Sequence, residues 1–175
     1  MKRVGLVVAY DGTNYSGWQI QPNGITIEEI LNRQISKLTG EDIRIIGASR
    51  TDSGVHALGN VAVFDTESRI PGDRFAYALN QKMPEDIVIV RSDEVQIDWH
   101  PRYQNEISKT YEYHIYNAKV RNPLKNRYST FVSFDLDVEK MRQGAKYILG
   151  EHDFASFCNV RTNAKDTVRT VHEIT

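Results

Sequence analysis

GASRTDSGVHA, residues 47–57, lies between two short apolar runs, Ile43–Ile46 and Val61–Phe64, which are both typical of β-strands. Its two glycines, Gly47 and Gly54, permit backbone conformations that are closed to other residues and let a ligand come close to the main chain. The stretch therefore predicts a loop between two strands. It leaves open whether that loop is a ligand site or an ordinary connection.

The charged residues of this loop are compatible with catalysis but do not require it. Arg50 stands two residues before Asp52, and an arginine so placed can pair with a carboxylate and keep it ionised. In the alternative interpretation, Ser49 and Asp52 are turn formers that hydrogen-bond their own backbone. Local chemistry alone favours this plainer interpretation, so the choice between a catalytic loop and an ordinary turn depends on the rest of the sequence.

The composition limits the class of protein. With 175 residues, of which 40% are hydrophobic, the chain can bury a core as one domain or as two small halves. It has no apolar run of membrane-spanning length and no long apolar stretch near the N-terminus like that of a signal peptide. Its single Cys158 excludes an internal disulfide framework and a cysteine cluster for zinc. We therefore expect a soluble protein of the reducing cytoplasm.

Charge is unevenly distributed, although the net charge is only −1. The segment 102–128 is rich in basic residues, namely Arg102, Lys109, Lys119, Arg121, Lys125 and Arg127. Five tyrosines are interleaved with them, Tyr103, Tyr111, Tyr113, Tyr116 and Tyr128. Cations and aromatic rings in such a mixture can contact phosphates and stack on bases. The alternative is a solvated strand face whose tyrosines are half-buried.

Hydrophobic periodicity predicts the order of elements in the first half. Residues 4–10 alternate as in a strand, and residues 27–38 carry an apolar stripe of helical period behind a capping box that begins at Thr26. The two strands around the loop follow, then a helix at Pro71–Asn80 and a buried strand at Ile87–Val90. This is β-α-β-β-α-β, the ferredoxin-like order.

The second half predicts a similar order of elements. Strands are expected at Ile107–Tyr116 and Tyr128–Phe134, a helix within residues 138–149, and a closing strand at 168–174. The fold class predicted from the whole chain is α+β.

Five segments together resemble one known family. Arg50-Thr51-Asp52 followed by Gly54-Val55-His56-Ala57 closely resembles the catalytic loop of the tRNA pseudouridine synthase A family. Four further segments resemble others of the same family, Tyr10–Gln21, His100–Tyr113, Gly150–Phe157 and Arg169–Val171.

The resemblance implies a pseudouridine synthase fold, in which two ferredoxin-like β-α-β-β halves form a mostly antiparallel sheet with flanking helices. It implies an N-terminal half at residues 1–104 that carries the catalytic loop, and a C-terminal half at residues 105–175. It also implies a further apolar segment and a basic group that do not occur before Thr175. We therefore expect the second half to be incomplete.

The activity that the resemblance implies is isomerisation of uridine to pseudouridine at positions 38–40 of the tRNA anticodon arm. Asp52 is then the expected catalytic carboxylate, and Tyr111 the expected aromatic that stacks on the flipped-out uracil. Arg50 is expected to pair with Asp52 and to occupy the space left by the base or contact a phosphate, while His56 fixes the loop. The expected partners are tRNA and a second copy of the chain, in the cytoplasm. No cofactor or metal is expected, because the reaction has no redox or hydride step.

Two alternatives belong to other classes. A non-catalytic RNA-binding module of ferredoxin-like fold would need stacking aromatics but not Asp52. A carboxylate hydrolase acting through Asp52 would need a second carboxylate, for which Asp11 and Asp153 are candidates. His152 beside Asp153 could also suggest a metal site, but adjacent side chains rarely converge on one ion, so structural capping is the preferred interpretation.

Overall fold

The computed structural model describes residues 1–103, 108–158 and 166–175. The chain forms two compact units, Met1–Tyr111 and Glu112–Thr175. The boundary predicted between residues 104 and 105 lies outside the described residues. Of the helices in the described ranges, none is both long enough and apolar enough to cross a membrane.

The first unit is built on a four-stranded antiparallel sheet. Strands β1 (Lys2–Tyr10), β2 (Ile46–Gly47), β3 (Ala57–Thr66) and β4 (Ile87–Val95) lie in the order β2-β3-β1-β4. Helix α1 (Ile27–Thr39) joins β1 to β2, and helix α2 (Phe75–Asn80) joins β3 to β4. The predicted β-α-β-β-α-β order is confirmed, and with it the α+β class.

The core lies between one face of this sheet and the two helices. Alternate residues of β1, among them Leu6, are fully buried, and Leu6 lies opposite Ala62 of β3. Phe64 of β3 contacts Phe75 of α2 edge to face, with ring centroids 5.2 Å apart. Fully burying side chains of this size contributes about 1.5–3 kcal/mol each. The strands are therefore held in register by their buried faces.

Helix α1 begins and ends where the sequence predicts. The Thr26 hydroxyl accepts the Glu29 N–H at 3.3 Å, as in a capping box, and Gly40 ends the helix with φ of 77°. The apolar stripe is buried from Ile27 to Ile35, and its last member, Leu38, is partly buried. Helix α2 is shorter than predicted, because Gly72–Arg74 forms a 3-10 turn before it. Gly72 packs against the backbone of β4, where a side chain would not fit.

The second unit has short elements with little burial. Strand β5 (Ile115–Asn117) pairs in parallel with β6 (Thr130–Val132), and β7 (Gly150–Asp153) pairs antiparallel with β8 (Val168–Val171). Between these pairs lies helix α3 (Val138–Ala145), which Asp137 caps by accepting the Lys140 N–H.

The predicted strands of the second half are longer than those observed. Of the strand predicted at Ile107–Tyr116, Ile107 lies outside the described residues, residues 108–114 are irregular, and the strand begins only at Ile115. Among the described residues the second unit forms two separate strand pairs rather than one ferredoxin-like sheet. Helix α3 buries none of its residues, so little apolar burial is available to align these strands in one layer.

Candidate active site

The loop that carries Asp52 leaves the sheet between β2 and β3. Strand β2 pairs with Ala62 and Val63, and the Ala48 N–H donates to the Val61 carbonyl at 2.7 Å. Residues 49–56 extend beyond this pairing and are called the Asp52 loop below. Both ends of the loop are thus attached to a well-packed sheet.

Thr51 is fixed from two directions. Its carbonyl oxygen accepts the Trp18 N–H at 2.9 Å, and its hydroxyl is hydrogen-bonded to the Tyr10 hydroxyl at 2.8 Å. Tyr10 and Trp18 are both buried, so these contacts hold Thr51 against the core. The neighbouring residues Arg50 and Asp52 are exposed. Anchoring Thr51 therefore presents both charged side chains at the surface.

Asn60 fixes the first residue of the loop. Its side-chain oxygen accepts the Ser49 N–H at 3.3 Å, and its Nδ2 donates to the Ser49 carbonyl at 3.1 Å and to the Tyr10 hydroxyl at 3.3 Å. Asn60 is buried, so these bonds also satisfy its polar atoms. Asn60 is not among the residues predicted from the sequence, although a polar residue directly before an apolar strand was a signal for it.

The second part of the loop is a tight turn over the main chain of Tyr15. The Tyr15 carbonyl accepts the Ser53 hydroxyl at 3.2 Å and the Gly54 N–H at 3.3 Å. The Val55 N–H donates back to the Asp52 carbonyl at 3.2 Å. Gly54 has a φ of 79°, a conformation that favours glycine. Asp52 is thus the first residue of a hydrogen-bonded turn.

Two glycines of the segment Asp11–Trp18 allow this segment to lie directly against the loop. A side chain at Gly12 would collide with the Val55 carbonyl, and a Cβ at Gly17 would lie 2.6 Å from the Thr51 carbonyl oxygen. Two of the segments that resemble the family, Tyr10–Gln21 and the Asp52 loop, are therefore in main-chain contact.

His56 connects the end of the loop to the turn after β1. Its Nδ1 accepts the Gly12 N–H at 3.2 Å and lies 3.1 Å from the Asp11 carboxylate. The first contact requires an unprotonated Nδ1, and an ionic contact with Asp11 requires a protonated one. In either state the ring ties the loop to this turn, which supports the expected loop-fixing role.

Two basic residues bind consecutive carbonyl groups where the loop begins. Arg102 donates from Nε to the Gly47 carbonyl at 2.6 Å, and Lys109 donates from Nζ to the Ala48 carbonyl at 3.1 Å. Hydrogen bonds from charged donors are stronger than neutral ones. The beginning of the basic segment 102–128 is therefore attached to the base of the Asp52 loop.

His100 supports Arg102. Its Nδ1 accepts the Arg102 N–H at 3.1 Å, and its ring lies 4.5 Å from the Tyr103 ring. Partial burial, followed by the cations Arg102 and Arg3, lowers the pKa of His100 below its usual value. His100 is therefore neutral at pH 7, and a neutral ring is what this contact requires.

Of the three site residues predicted from the sequence, two lie on the Asp52 loop and the third, Tyr111, lies on another segment. Arg50 and Asp52 share the loop, but no ion pair between them is formed in the structure as far as it is described. Both side chains are exposed, and a pair between exposed charges contributes little. Tyr111 is 77% exposed and lies two residues after Lys109. The convergence of Tyr111 with Asp52 stays a prediction.

Two open depressions border α1, and neither contains a predicted site residue. One is lined by residues that include Tyr15, Arg33 and Met83, and the other by residues that include Lys37 and Leu79. The Asp52 carboxylate is instead presented on the open surface.

Among residues 1–103, 108–158 and 166–175, no group of three or more His, Cys, Asp or Glu residues is arranged to hold a metal ion. His152 contacts the Leu149 carbonyl through Nε2 at 2.8 Å. Asp153 accepts the Ala155 N–H at 2.9 Å and the Thr167 hydroxyl. Both side chains therefore serve local turns, which supports the capping interpretation.

The sequence matches a protein-family model described as tRNA pseudouridine synthase. The match covers residues 6–104 and 145–175. It includes the Asp52 loop, the Asp11–Trp18 segment that lies against it, and Arg102, which binds its base.

Individual relatives match over nearly the whole chain. The tRNA pseudouridine synthase A of Acetivibrio thermocellus is 50% identical over 174 residues, which are 99% of this chain and 71% of the relative. The enzymes of the same name from Thermoanaerobacter sp. and Brevibacillus brevis are each 45% identical, over 100% and 98% of this chain and 71% and 70% of their own lengths. With matches of this extent, the chain belongs to the tRNA pseudouridine synthase family.

Proposed function

We propose that this chain isomerises uridine to pseudouridine in tRNA and that the Asp52 carboxylate is its catalytic group. The supporting observation is the geometry of the Asp52 loop: the residues on both sides of Asp52 are hydrogen-bonded to the core, while Asp52 itself is exposed. A carboxylate held in this way is accessible to a macromolecular substrate and still has a defined position.

The reaction needs one carboxylate and a uracil that can rotate within the site after its glycosidic bond breaks. The bond between C1′ and N1 breaks, the uracil rotates, a bond forms between C1′ and C5, and the C5 proton is lost while N1 gains one. Asp52 can promote this by attacking C1′, by attacking C6 of the uracil, or by assisting a glycal-like route. All three routes need the same exposed carboxylate and no external reactant.

Arg50 and Tyr111 are proposed to bind the substrate. A base in a helical stem must be flipped out before it can react, at a cost of a few kcal/mol in lost stacking. Arg50, exposed next to the anchored Thr51, can fill the space that the base leaves or contact a phosphate. The exposed ring of Tyr111 can stack on the uracil. Lys109 and Arg102 would hold the segment before Tyr111 at the base of the loop.

The anticodon arm, at positions 38–40, is the proposed target within tRNA. A homodimer and a cytoplasmic location are proposed with it. The basic and aromatic composition of residues 102–128 supports contact with an RNA backbone and its bases. Sedimentation of the purified chain tests the dimer, and a monomer would contradict it.

A carboxylate hydrolase is disfavoured by the partners of the other carboxylates. Asp11 accepts the Thr13 N–H and hydroxyl, and Asp153 accepts hydrogen bonds from Ala155 and Thr167. The Asp153 carboxylate holds a local turn, and the Asp11 carboxylate holds its own turn and also contacts His56, so both are occupied in structural contacts, which argues against their use as the second acid of glycosidic hydrolysis.

Tritium release from tRNA labelled at C5 of uridine tests the proposal, because C5 loses its hydrogen only when a new carbon–carbon bond forms there. We expect Asp52→Asn, which keeps the size of the side chain, to abolish release while tRNA binding persists. Asp73→Asn is the matched control, because Asp73 is an exposed aspartate outside the loop. Full activity of Asp52→Asn would exclude Asp52 as the catalytic group.

The same assay tests Tyr111. We expect Tyr111→Ala to reduce release strongly, because stacking on a base contributes about 1–3 kcal/mol. Tyr111→Phe separates the ring from the hydroxyl: retained activity would assign the effect to stacking, and lost activity to the hydroxyl. Full activity of Tyr111→Ala would remove Tyr111 from the site.

A further inference from the structure

The Tyr10 hydroxyl is a polar group in the core next to the Asp52 loop. Tyr10 is only 4% exposed, and its hydroxyl lies within hydrogen-bond distance of Asn60 Nδ2, at 3.3 Å, and of the Thr51 hydroxyl, at 2.8 Å. Because the Asn60 amide can only donate, the Tyr10 oxygen accepts that bond. In the bond between the Tyr10 and Thr51 hydroxyls, either oxygen can be the donor.

The protonation of Tyr10 is stable in this environment. Burial raises the pKa of Tyr10 above its usual value, and the hydrogen bonds to Thr51 and Asn60 oppose this only in part. The hydroxyl therefore stays protonated at neutral pH and keeps its hydrogen bond to Thr51.

Packing alone does not require this hydroxyl. The Tyr10 ring lies 6.0 Å from the Trp18 ring in the core, and a phenylalanine would keep that contact. Replacing both partners of a buried hydrogen bond by apolar groups of the same shape is often nearly neutral for stability. The bond between Tyr10 and Thr51 is therefore better explained by a role in orienting Thr51 than by a contribution to the stability of the fold.

We propose that Tyr10 is a positioning residue for the reaction: its hydroxyl, acting through the Thr51 side chain, fixes the direction in which Asp52 presents its carboxylate. Thr51 is covalently adjacent to Asp52, and its hydroxyl and its carbonyl are both held, by Tyr10 and by the Trp18 N–H. Without the hydroxyl bond, Thr51 can turn about its one remaining anchor, and Asp52 turns with it. This inference rests on the proposed role of Asp52.

Three variants test the hydrogen bond. Tyr10→Phe removes the Tyr10 hydroxyl and with it the bonds to both Thr51 and Asn60, Thr51→Val replaces the Thr51 hydroxyl by a methyl group and removes the bond to Tyr10 alone, and Thr51→Ser keeps the hydroxyl. The matched control is Thr66→Val, because Thr66 is 2% exposed, its hydroxyl accepts one N–H from Ser68, and it lies at the opposite end of β3.

Single-turnover tritium release and tRNA affinity are measured for each variant. We expect Tyr10→Phe and Thr51→Val each to slow release by roughly tenfold, with tRNA affinity unchanged, because misorientation of a reacting group lowers the rate of the chemical step. The double variant should be no slower than Tyr10→Phe, since that variant already lacks the bond that Thr51→Val removes. Thr51→Ser should restore release, and Thr66→Val should match the unsubstituted chain.

Amide hydrogen exchange gives a second result that does not depend on activity. The Gly54 N–H donates to the Tyr15 carbonyl, and the Val55 N–H donates to the Asp52 carbonyl, so both report on the position of the Asp52 loop. We expect them to exchange roughly threefold faster, or more, in Tyr10→Phe and Thr51→Val, and no faster in Thr66→Val.

The two measurements separate this inference from the proposed function. If Asp52→Asn releases tritium normally, the role of Asp52 fails, while the exchange data still show whether Tyr10 orders the loop. If Asp52→Asn is inactive and Tyr10→Phe keeps both its release rate and its exchange protection, the positioning role is overturned. Multiplied effects in the double variant would overturn the path through Thr51.

Discussion

The two units of this chain contain similar elements but differ in what those elements bury. Phe64 in the first unit is 2% exposed, whereas Phe157 in the second is 78% exposed. Helix α1 buries four residues completely or nearly so, and helix α3 buries none. The comparison teaches that the order of elements is not enough to form a layered domain. The Asp52 loop is attached to the unit that has a core.

The largest effect is expected where the same substitution is made in both units. Phe64→Ala should destabilise the first unit by about 3–5 kcal/mol, because it leaves a cavity between the sheet and α2. Phe157→Ala, at an exposed position, should change the free energy of unfolding by less than about 0.5 kcal/mol. Urea unfolding measures both: the fluorescence of Trp18 and Trp99 follows the first unit, and far-ultraviolet circular dichroism follows the whole chain. Equal losses of unfolding free energy in the two variants would contradict the inferred difference in burial between the two units.

Smaller effects on stability, of opposite sign to each other, are expected from two Gly→Ala substitutions, one in each unit. In Gly47→Ala the new Cβ would lie 2.5 Å from the buried Trp18 ring, so about 1–3 kcal/mol should be lost. Gly144→Ala in α3 has no atom within 4 Å of the new Cβ, so it should stabilise that helix by up to about 1 kcal/mol. Thermal unfolding of both variants gives the signs. If Gly47→Ala were as stable as the parent, the close packing under the loop would be disproved.

The smallest effect is a dependence of stability on pH through His100. Its pKa is lowered in the folded chain, so between about pH 6.5 and that lowered value the unfolded chain binds more protons. The free energy of unfolding should therefore fall as the pH drops through this window. Because His100 is only partly buried, the loss should stay below about 1 kcal/mol.

His100→Asn is the variant that sharpens this test. Its side-chain oxygen can accept the Arg102 N–H without titrating, so stability in this window should depend less on pH. Urea unfolding at about pH 7 and about pH 5.5 provides the comparison. An unchanged dependence in the variant would assign the effect to other groups.

Local signals were sufficient for much of the first unit. The capping box at Thr26 and the glycine at position 40 predicted α1, because these contacts are made within a few residues. The alternation in β1 predicted a strand with one buried face, which the structure confirms. The ferredoxin-like order followed from these elements.

The contacts that hold the Asp52 loop could not be predicted in the same way. Tyr10 and Thr51 are 41 residues apart, and Asn60 and Tyr10 are 50 apart. Only the register between β1 and β3 brings them together, and that register depends on the buried faces of both strands. The sequence showed each residue but not the partner.

Two features that spacing suggested are not formed in the described residues, and they have a common reason. The spacing of Arg50 and Asp52 suggested an ion pair, and the alternation of Tyr111 and Tyr113 suggested a strand. In both cases the side chains are exposed, so nothing buried compensates for the entropy of ordering them. Patterns of spacing predict structure well only where one side of the pattern is buried.

The main-chain contacts between the segment Asp11–Trp18 and the Asp52 loop have a consequence for changes in chain length. The carbonyl groups of Tyr15 and Thr51 and the N–H groups of Gly54 and Trp18 make these contacts through main-chain atoms, so apart from the glycines of the two segments they do not depend on which side chains are attached. Many replacements that leave the backbone unstrained would preserve them. An insertion or deletion of a single residue would move every later donor away from its acceptor. Loops are usually where a protein tolerates such changes most easily, but here the number of residues in each of the two segments is fixed by the other.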